Sequence, residues 1–121
     1  MKRKGRLFLF HWKTAEAAEL AKGLRKLGWT VDFEGENGAR GGKKVIETLP
    51  DAVVFYLTRL PSHSRATAEY LAQRKATRPI PLIFVDGKDE AVAKTREKIP
   101  TGVFTTSADL PRRLAKLAEK G

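Results

Sequence analysis

The sequence predicts a three-layer α/β/α sandwich in which helices cover both faces of a five-stranded parallel sheet. Short apolar runs alternate with amphipathic stretches along the 121 residues, in the order β-α repeated five times. Most of these apolar runs do not alternate between polar and apolar residues, which is typical of parallel strands buried on both faces. Right-handed crossovers leave few topologies, and the flavodoxin-like order 2-1-3-4-5 is the simplest. We expect one domain spanning residues 1–121.

The first βα unit begins with the apolar run Leu7–His11, which predicts β1. Thr14 is a candidate cap for the helix that follows. Gly28 stands where a left-handed residue ends a helix. The apolar stripe of this helix comprises Ala17, Leu20, Ala21, Leu24 and Leu27.

The second unit begins with Trp29–Phe33, which alternates strictly and predicts a half-covered strand at a sheet edge, with Trp29 packing there. Residues 35–42 are glycine-rich and are interpreted as a flexible loop. A phosphate-binding loop would need Gly at Asn37 and Ser or Thr at Lys44. A weak anion site using Lys43, Lys44 and free N–H groups at the next helix start stays open.

The middle of the chain alternates in the same way. A short helix ends at Pro50, Ala52–Leu57 is the clearest buried strand, and residues 64–75 predict a helix. The inward residues expected on these two helices are Val45, Ile46, Leu49, Ala68, Leu71 and Ala72.

The last third predicts strands at Leu82–Val85 and Val103–Thr105, separated by an Asp86-Gly87 turn and a helix over 89–98 with Val92 inward. Asp109 or Ser107 can cap the final helix. The stripe of that helix comprises Leu110, Leu114, Leu117 and Ala118. The predicted core includes Phe8, Phe10, Val53, Phe55, Ile83 and Val85.

Composition excludes several chemistries. The chain has no cysteine, which removes disulfides, thiolate nucleophiles and Cys-ligated metals. Its histidines, His11 and His63, lack metal-site spacing, and no cofactor motif is present. The basic start Met1–Arg6 precedes an apolar run too short for a signal peptide, and no run could span a membrane. We expect a cytoplasmic protein.

The formal net charge is +10, and each half carries 12 Lys or Arg against 7 Asp or Glu. Spread positive charge favours polyanionic partners such as nucleic acid. A solubilising surface explains the same charge equally well.

Three segments resemble receiver domains of bacterial response regulators: Pro50–Phe55, Leu60-Pro61 and Arg78–Ile83. The resemblance covers nearly the whole chain. It implies the flavodoxin-like fold and an aspartate that is phosphorylated with the help of a divalent metal.

The residues that this activity requires are replaced. His11 and Trp12 stand where the family has its metal-binding acidic pair, and Tyr56, or Leu57 one position on, stands at the phosphoacceptor. Val85-Asp86 replaces the Ser or Thr after the fourth strand, and Thr106 replaces the lysine after the fifth. The resemblance therefore implies a pseudo-receiver that is not an enzyme.

A cleft is expected at the carboxyl ends of the strands. Its candidate binding residues are His11, Trp12, Tyr56, Arg59, Asp86 and Thr106. They form either a polar rim that fills the former metal site or a binding site for a small ligand or anion. An exposed Trp12 would stack on a ring or anchor a protein, and partial burial is the alternative.

The resemblance also implies an interaction surface on the fourth helix, fifth strand and fifth helix. The candidate residues of this surface are Lys94, Arg96, Arg112, Arg113 and Lys116. The leading hypothesis is a non-catalytic regulatory domain that binds a protein partner or forms a homodimer. The alternatives are a basic nucleic-acid module and a ligand binder at the cleft.

Overall fold

The computed structural model describes residues 5–120, so residues 1–4 of the predicted basic start lie outside it. The strands are β1 (Arg6–Phe10), β2 (Thr30–Glu34), β3 (Ala52–Tyr56), β4 (Leu82–Val85) and β5 (Val103–Thr105). The helices are α1 (Thr14–Lys26), α2 (Gly38–Thr48), α3 (Pro61–Gln73), α4 (Asp89–Lys98) and α5 (Leu110–Lys120). Within residues 5–120, no helix is long and apolar enough to cross a membrane.

The strands form one parallel sheet in the order β2-β1-β3-β4-β5, which confirms the predicted topology and places β2 at an edge. Side chains of successive strand residues point to opposite faces. Leu7 and Leu9 therefore face α1 and α5, whereas Phe8 and Phe10 face α2, α3 and α4. The six predicted core residues are all buried.

Four phenylalanine side chains stack across the sheet, on the face covered by α2, α3 and α4. Phe10, Phe55, Phe84 and Phe104 are paired in register across β1, β3, β4 and β5. Their consecutive ring centroids are 5.0, 5.3 and 5.0 Å apart with nearly parallel planes. We call these four side chains the phenylalanine ladder.

The interpretation of residues 35–42 as a flexible loop was wrong, because α2 begins at Gly38. Asn37 caps it by accepting a 3.0 Å hydrogen bond from the Arg40 N–H. Gly41 lies against the Phe10 ring, and a Cβ there would stand 2.9 Å from the Glu34 Cβ. The glycines therefore allow α2 to pack closely on the sheet.

The backbone N–H groups just before this helix already bind a side chain, and the anion site that the sequence left open with Lys43 and Lys44 stays a prediction. The buried Glu34 carboxylate accepts hydrogen bonds from the Glu36 and Asn37 N–H groups, at 2.9 and 3.0 Å, and pairs with Arg40. Arg40, then these N–H groups, lower the pKa of Glu34 from 4.5 to about 2. The ionised carboxylate therefore stabilises the fold above about pH 4.5 and loses this effect as pH falls towards 2.

Three local predictions at helix ends need correction. Thr14 does not cap α1, because its hydroxyl donates to Glu36 at 3.1 Å. Leu27 lies beyond the last turn of α1 and is exposed, whereas Gly28 adopts the predicted left-handed conformation with φ 103°. α3 begins at Pro61 rather than at residue 64, since proline suits the first helical position.

Candidate functional site: the cleft at the strand ends

A cleft of about 620 Å³ lies at the carboxyl ends of β1, β3 and β4, on the side of α1 and α5. It is lined by His11, Lys13, Ala15, Glu16, Glu19, Leu20, Tyr56, Thr58, Asp86 and Ser107. Three of the six predicted cleft residues, His11, Tyr56 and Asp86, therefore meet here. Its position agrees with the expectation for a doubly wound sheet.

His11 follows β1 directly and is only 4% exposed. Its Nε2 lies 2.7 Å from Glu16 Oε1, and its ring meets the Tyr56 ring edge-on at 5.6 Å. A carboxylate only accepts hydrogen bonds, so Nε2 carries the hydrogen when Glu16 is ionised. Nδ1 is buried without a hydrogen-bond partner among residues 5–120.

Glu16, in the first turn of α1, is in contact with the basic side chains of the cleft. Arg59 donates to both of its oxygens, at 2.8 and 2.9 Å, and Lys13 Nζ lies 3.7 Å away. Hydrogen bonds from Arg59 and then His11 lower the pKa of Glu16 from 4.5 to about 2. Arg59 therefore contacts the site through its hydrogen bonds to Glu16. Glu16 itself was not among the site residues predicted from the sequence.

Asp86 connects the end of β4 to the loop after β5. It adopts a left-handed conformation with φ 58°, and its carboxylate accepts hydrogen bonds from the Ser107 hydroxyl and from the Ser107 N–H, the latter at 2.9 Å. Ser107 is therefore not the cap of α5. Burial, and then the charge of Asp86, raise the pKa of Tyr56 to about 12, so this phenol stays protonated at neutral pH.

Thr106, expected in the cleft, instead lies just before the turn that leads into α5. Its backbone oxygen accepts from the Leu110 N–H at 2.9 Å, and its hydroxyl accepts from the Asp109 N–H at 3.2 Å. Its side chain does not line the cleft.

Trp12, expected at the cleft mouth with its exposure left open, is 8% exposed and belongs to the core on the other face of the sheet. Its Nε1 donates to Ser64 Oγ at 2.8 Å, and Ser64 Oγ donates to the Tyr56 carbonyl at 3.2 Å. Extended backbone sends neighbouring side chains to opposite faces, so His11 and Trp12 separate.

The five predicted interaction residues lie on α4 and α5. Lys94 pairs with Glu90 at 3.1 Å, and Arg112 pairs with Asp109 at 3.4 Å. The Arg96 guanidinium lies 4.4 Å from the centre of the Phe104 ring, at the end of the phenylalanine ladder. Arg113 and Lys116 are exposed and have no ion-pair partner within the described residues.

The cleft offers hydrogen-bond donors and acceptors, and two of its carboxylates are already bonded to other side chains. Between residues 5 and 120, no three His, Cys, Asp or Glu side chains cluster in a way that suits a metal ion. Glu16 is already bonded to Arg59 and His11, and Asp86 to Ser107. A signal for the Glu16 contact was present in the sequence, since Glu16 lies in the first turn of the helix that follows β1 and His11.

Neither the protein-family models nor the curated protein sequences contain a match to this chain. Solved structures do match. The signal receiver domain of a histidine kinase from Syntrophus aciditrophicus superposes with a TM-score of 0.75 and 18% identity, over 96% of this chain and 91% of that chain. A putative response regulator from Chloroflexus aurantiacus J-10-fl gives a TM-score of 0.75 and 17% identity, over 98% and 97%.

A third match is the receiver domain of a sensor histidine kinase from Pseudomonas aeruginosa PAO1, with a magnesium ion coordinated in its active site cleft. It gives a TM-score of 0.72 and 19% identity, over 95% of this chain and 98% of that chain. At these identities the likeness establishes a shared fold, that of signal receiver domains.

Proposed function

We propose that this chain is a receiver-fold regulatory domain that acts through contacts with a partner, without aspartyl phosphorylation and without catalysing a reaction. One observation carries the proposal. The strand-end cleft is lined by His11 and Glu16, which are hydrogen-bonded to each other and, through Glu16, to Arg59, and the resemblance implies that His11 and Trp12 stand at the positions of the acidic pair.

The side chains of the cleft support this proposal chemically. Phosphoryl transfer needs an accessible nucleophile and cations that stabilise the developing charge. Tyr56, at the end of β3, is buried, and its raised pKa keeps it a weak nucleophile. Arg59 is neutralised by Glu16 and does not project a free positive charge into the cleft.

We expect no phosphorylation when the protein is incubated with acetyl phosphate and Mg²⁺. Intact-mass spectrometry measures the result, with a phosphorylatable receiver domain as the parallel control. A mass increase of one phosphoryl group would contradict the proposal. Asp86→Asn then tests whether the adduct sits on the aspartate that lines the cleft.

The proposed contact surface comprises the exposed basic side chains of α4 and α5. Arg113 and Lys116 carry charge that the protein itself does not neutralise within the described residues, and a two-fold contact could pair it with acidic residues of a second copy. Exposed ion pairs contribute only about 0–1 kcal/mol each, so several are needed for a stable contact.

Reversing charge on α5, with Arg112→Glu and Arg113→Glu together, is expected to abolish self-association while leaving the fold intact. Sedimentation velocity at high protein concentration measures association, and circular dichroism checks the fold. The matched control is Lys22→Glu with Lys26→Glu, an equal charge change on exposed positions of α1. If the wild type is monomeric, or if the α1 and α5 variants dissociate equally, the contact surface lies elsewhere.

A further inference from the structure

A second groove, of about 440 Å³, lies between α2 and α3, on the opposite side of the sheet from the strand-end cleft. Its walls are aromatic, formed by Trp12, His63 and Tyr70, and the positions between them hold small residues such as Ala39 and Ala66. We call it the α2–α3 groove. The sequence analysis did not identify it, because its walls come from three separate segments.

Two of the aromatic walls come from the same helix. His63 and Tyr70 are seven residues apart on α3, which places them on one face about 10 Å apart along the helix. His63 packs edge-on against Trp12 with ring centroids 5.5 Å apart. Tyr70 rests on Gly42, where a Cβ would lie 3.4 Å from its ring, yet it is 46% exposed.

A side-chain hydroxyl lines the wall of the groove. Thr67 belongs to this wall, and a Cβ added at Gly38 would lie 2.7 Å from its Oγ1. A threonine hydroxyl can both donate and accept a hydrogen bond, so this position suits the polar edge of a ligand.

Two basic side chains lie beside the groove, Lys43 on α2 and Arg74 directly after α3. The Arg74 guanidinium lies 5.2 Å from the centre of the Tyr70 ring, and Lys43 is one helical turn beyond Ala39 on α2. Aromatic rings within a positively charged groove are the combination that single-stranded nucleic acids bind.

We propose that the α2–α3 groove binds single-stranded nucleic acid. One unstacked base lies between His63 and Tyr70 with its edge towards Thr67, and the adjoining phosphates follow Lys43 and Arg74. A duplex cannot offer a base in this way because its bases are stacked on one another. The binding is independent of the proposed regulatory contact on α4 and α5.

Fluorescence anisotropy with labelled oligo(dT) and oligo(rU) of about 12 nucleotides tests the proposal. We expect Tyr70→Ala to weaken binding by about 5- to 100-fold, the range expected when one base–aromatic stack is lost. Tyr70→Phe keeps the ring and should bind like the wild type. Lys43→Ala with Arg74→Ala should lower the slope of log affinity against log salt by about 1.4, the value for two phosphate contacts on a single strand.

The controls separate base recognition from general charge attraction. Lys22→Ala with Lys26→Ala removes the same charge from α1 and should change affinity much less than the Lys43 and Arg74 pair. Duplex DNA and polyglutamate should compete poorly with the oligonucleotides. Three results would overturn the nucleic-acid proposal: equal competition by duplex DNA or polyglutamate, unchanged binding by folded Tyr70→Ala, or no binding by the wild type. None of them bears on the regulatory function proposed above.

Discussion

Phe55→Ala is expected to lower the free energy of unfolding by about 3–5 kcal/mol, the cost of removing a buried phenylalanine. Phe55 is fully buried at the centre of the phenylalanine ladder, with Phe10 and Phe84 stacked at 5.0 and 5.3 Å on its two sides. Its loss opens a cavity that two rigid strands cannot close. The change is a large part of the 5–15 kcal/mol typical of a domain.

Urea unfolding followed by tryptophan fluorescence measures this effect. Phe33→Ala is the matched control, because Phe33 lies on the edge strand β2, is only partly buried and is outside the ladder. It should cost clearly less than Phe55→Ala. If the two variants lose equal stability, the ladder has no special part in holding the sheet together.

Gly41→Ala is expected to destabilise the protein by about 1–3 kcal/mol, the usual cost of overpacking, although alanine favours helices. The added Cβ would contact the Phe10 ring and lie 2.9 Å from the Glu34 Cβ. α2 must then move away from the sheet. That movement also disturbs the Glu34–Arg40 pair and the α2–α3 groove.

Gly23→Ala provides a control with the opposite expected sign. Gly23 lies inside α1, and a Cβ there would have no neighbour within 4 Å. The substitution should stabilise the protein by about 0.5–1 kcal/mol, because alanine loses less backbone entropy in a helix. Thermal and urea unfolding measure both variants, and stabilisation by Gly41→Ala would show that α2 does not pack closely on β1.

Much of the fold was predictable because it depends on local periodicity. The continuous apolar runs identified four of the strands, and the strict alternation of residues 29–33 identified β2 as an edge strand. Helix boundaries were less predictable. Residues 35–42 resembled a loop because glycine is intrinsically unfavourable in helices, and only close packing against Phe10 explains the glycine in α2.

The sequence by itself determined the five βα units and the buried strands. These depend on residue type and on spacing along the chain. Tertiary structure alone decided that His11 and Trp12 separate to opposite faces, that Glu16 joins His11 to Arg59, and that the aromatic side chains of distant segments meet beside α2. Such contacts depend on strand register and helix packing, which bring together residues far apart in the chain.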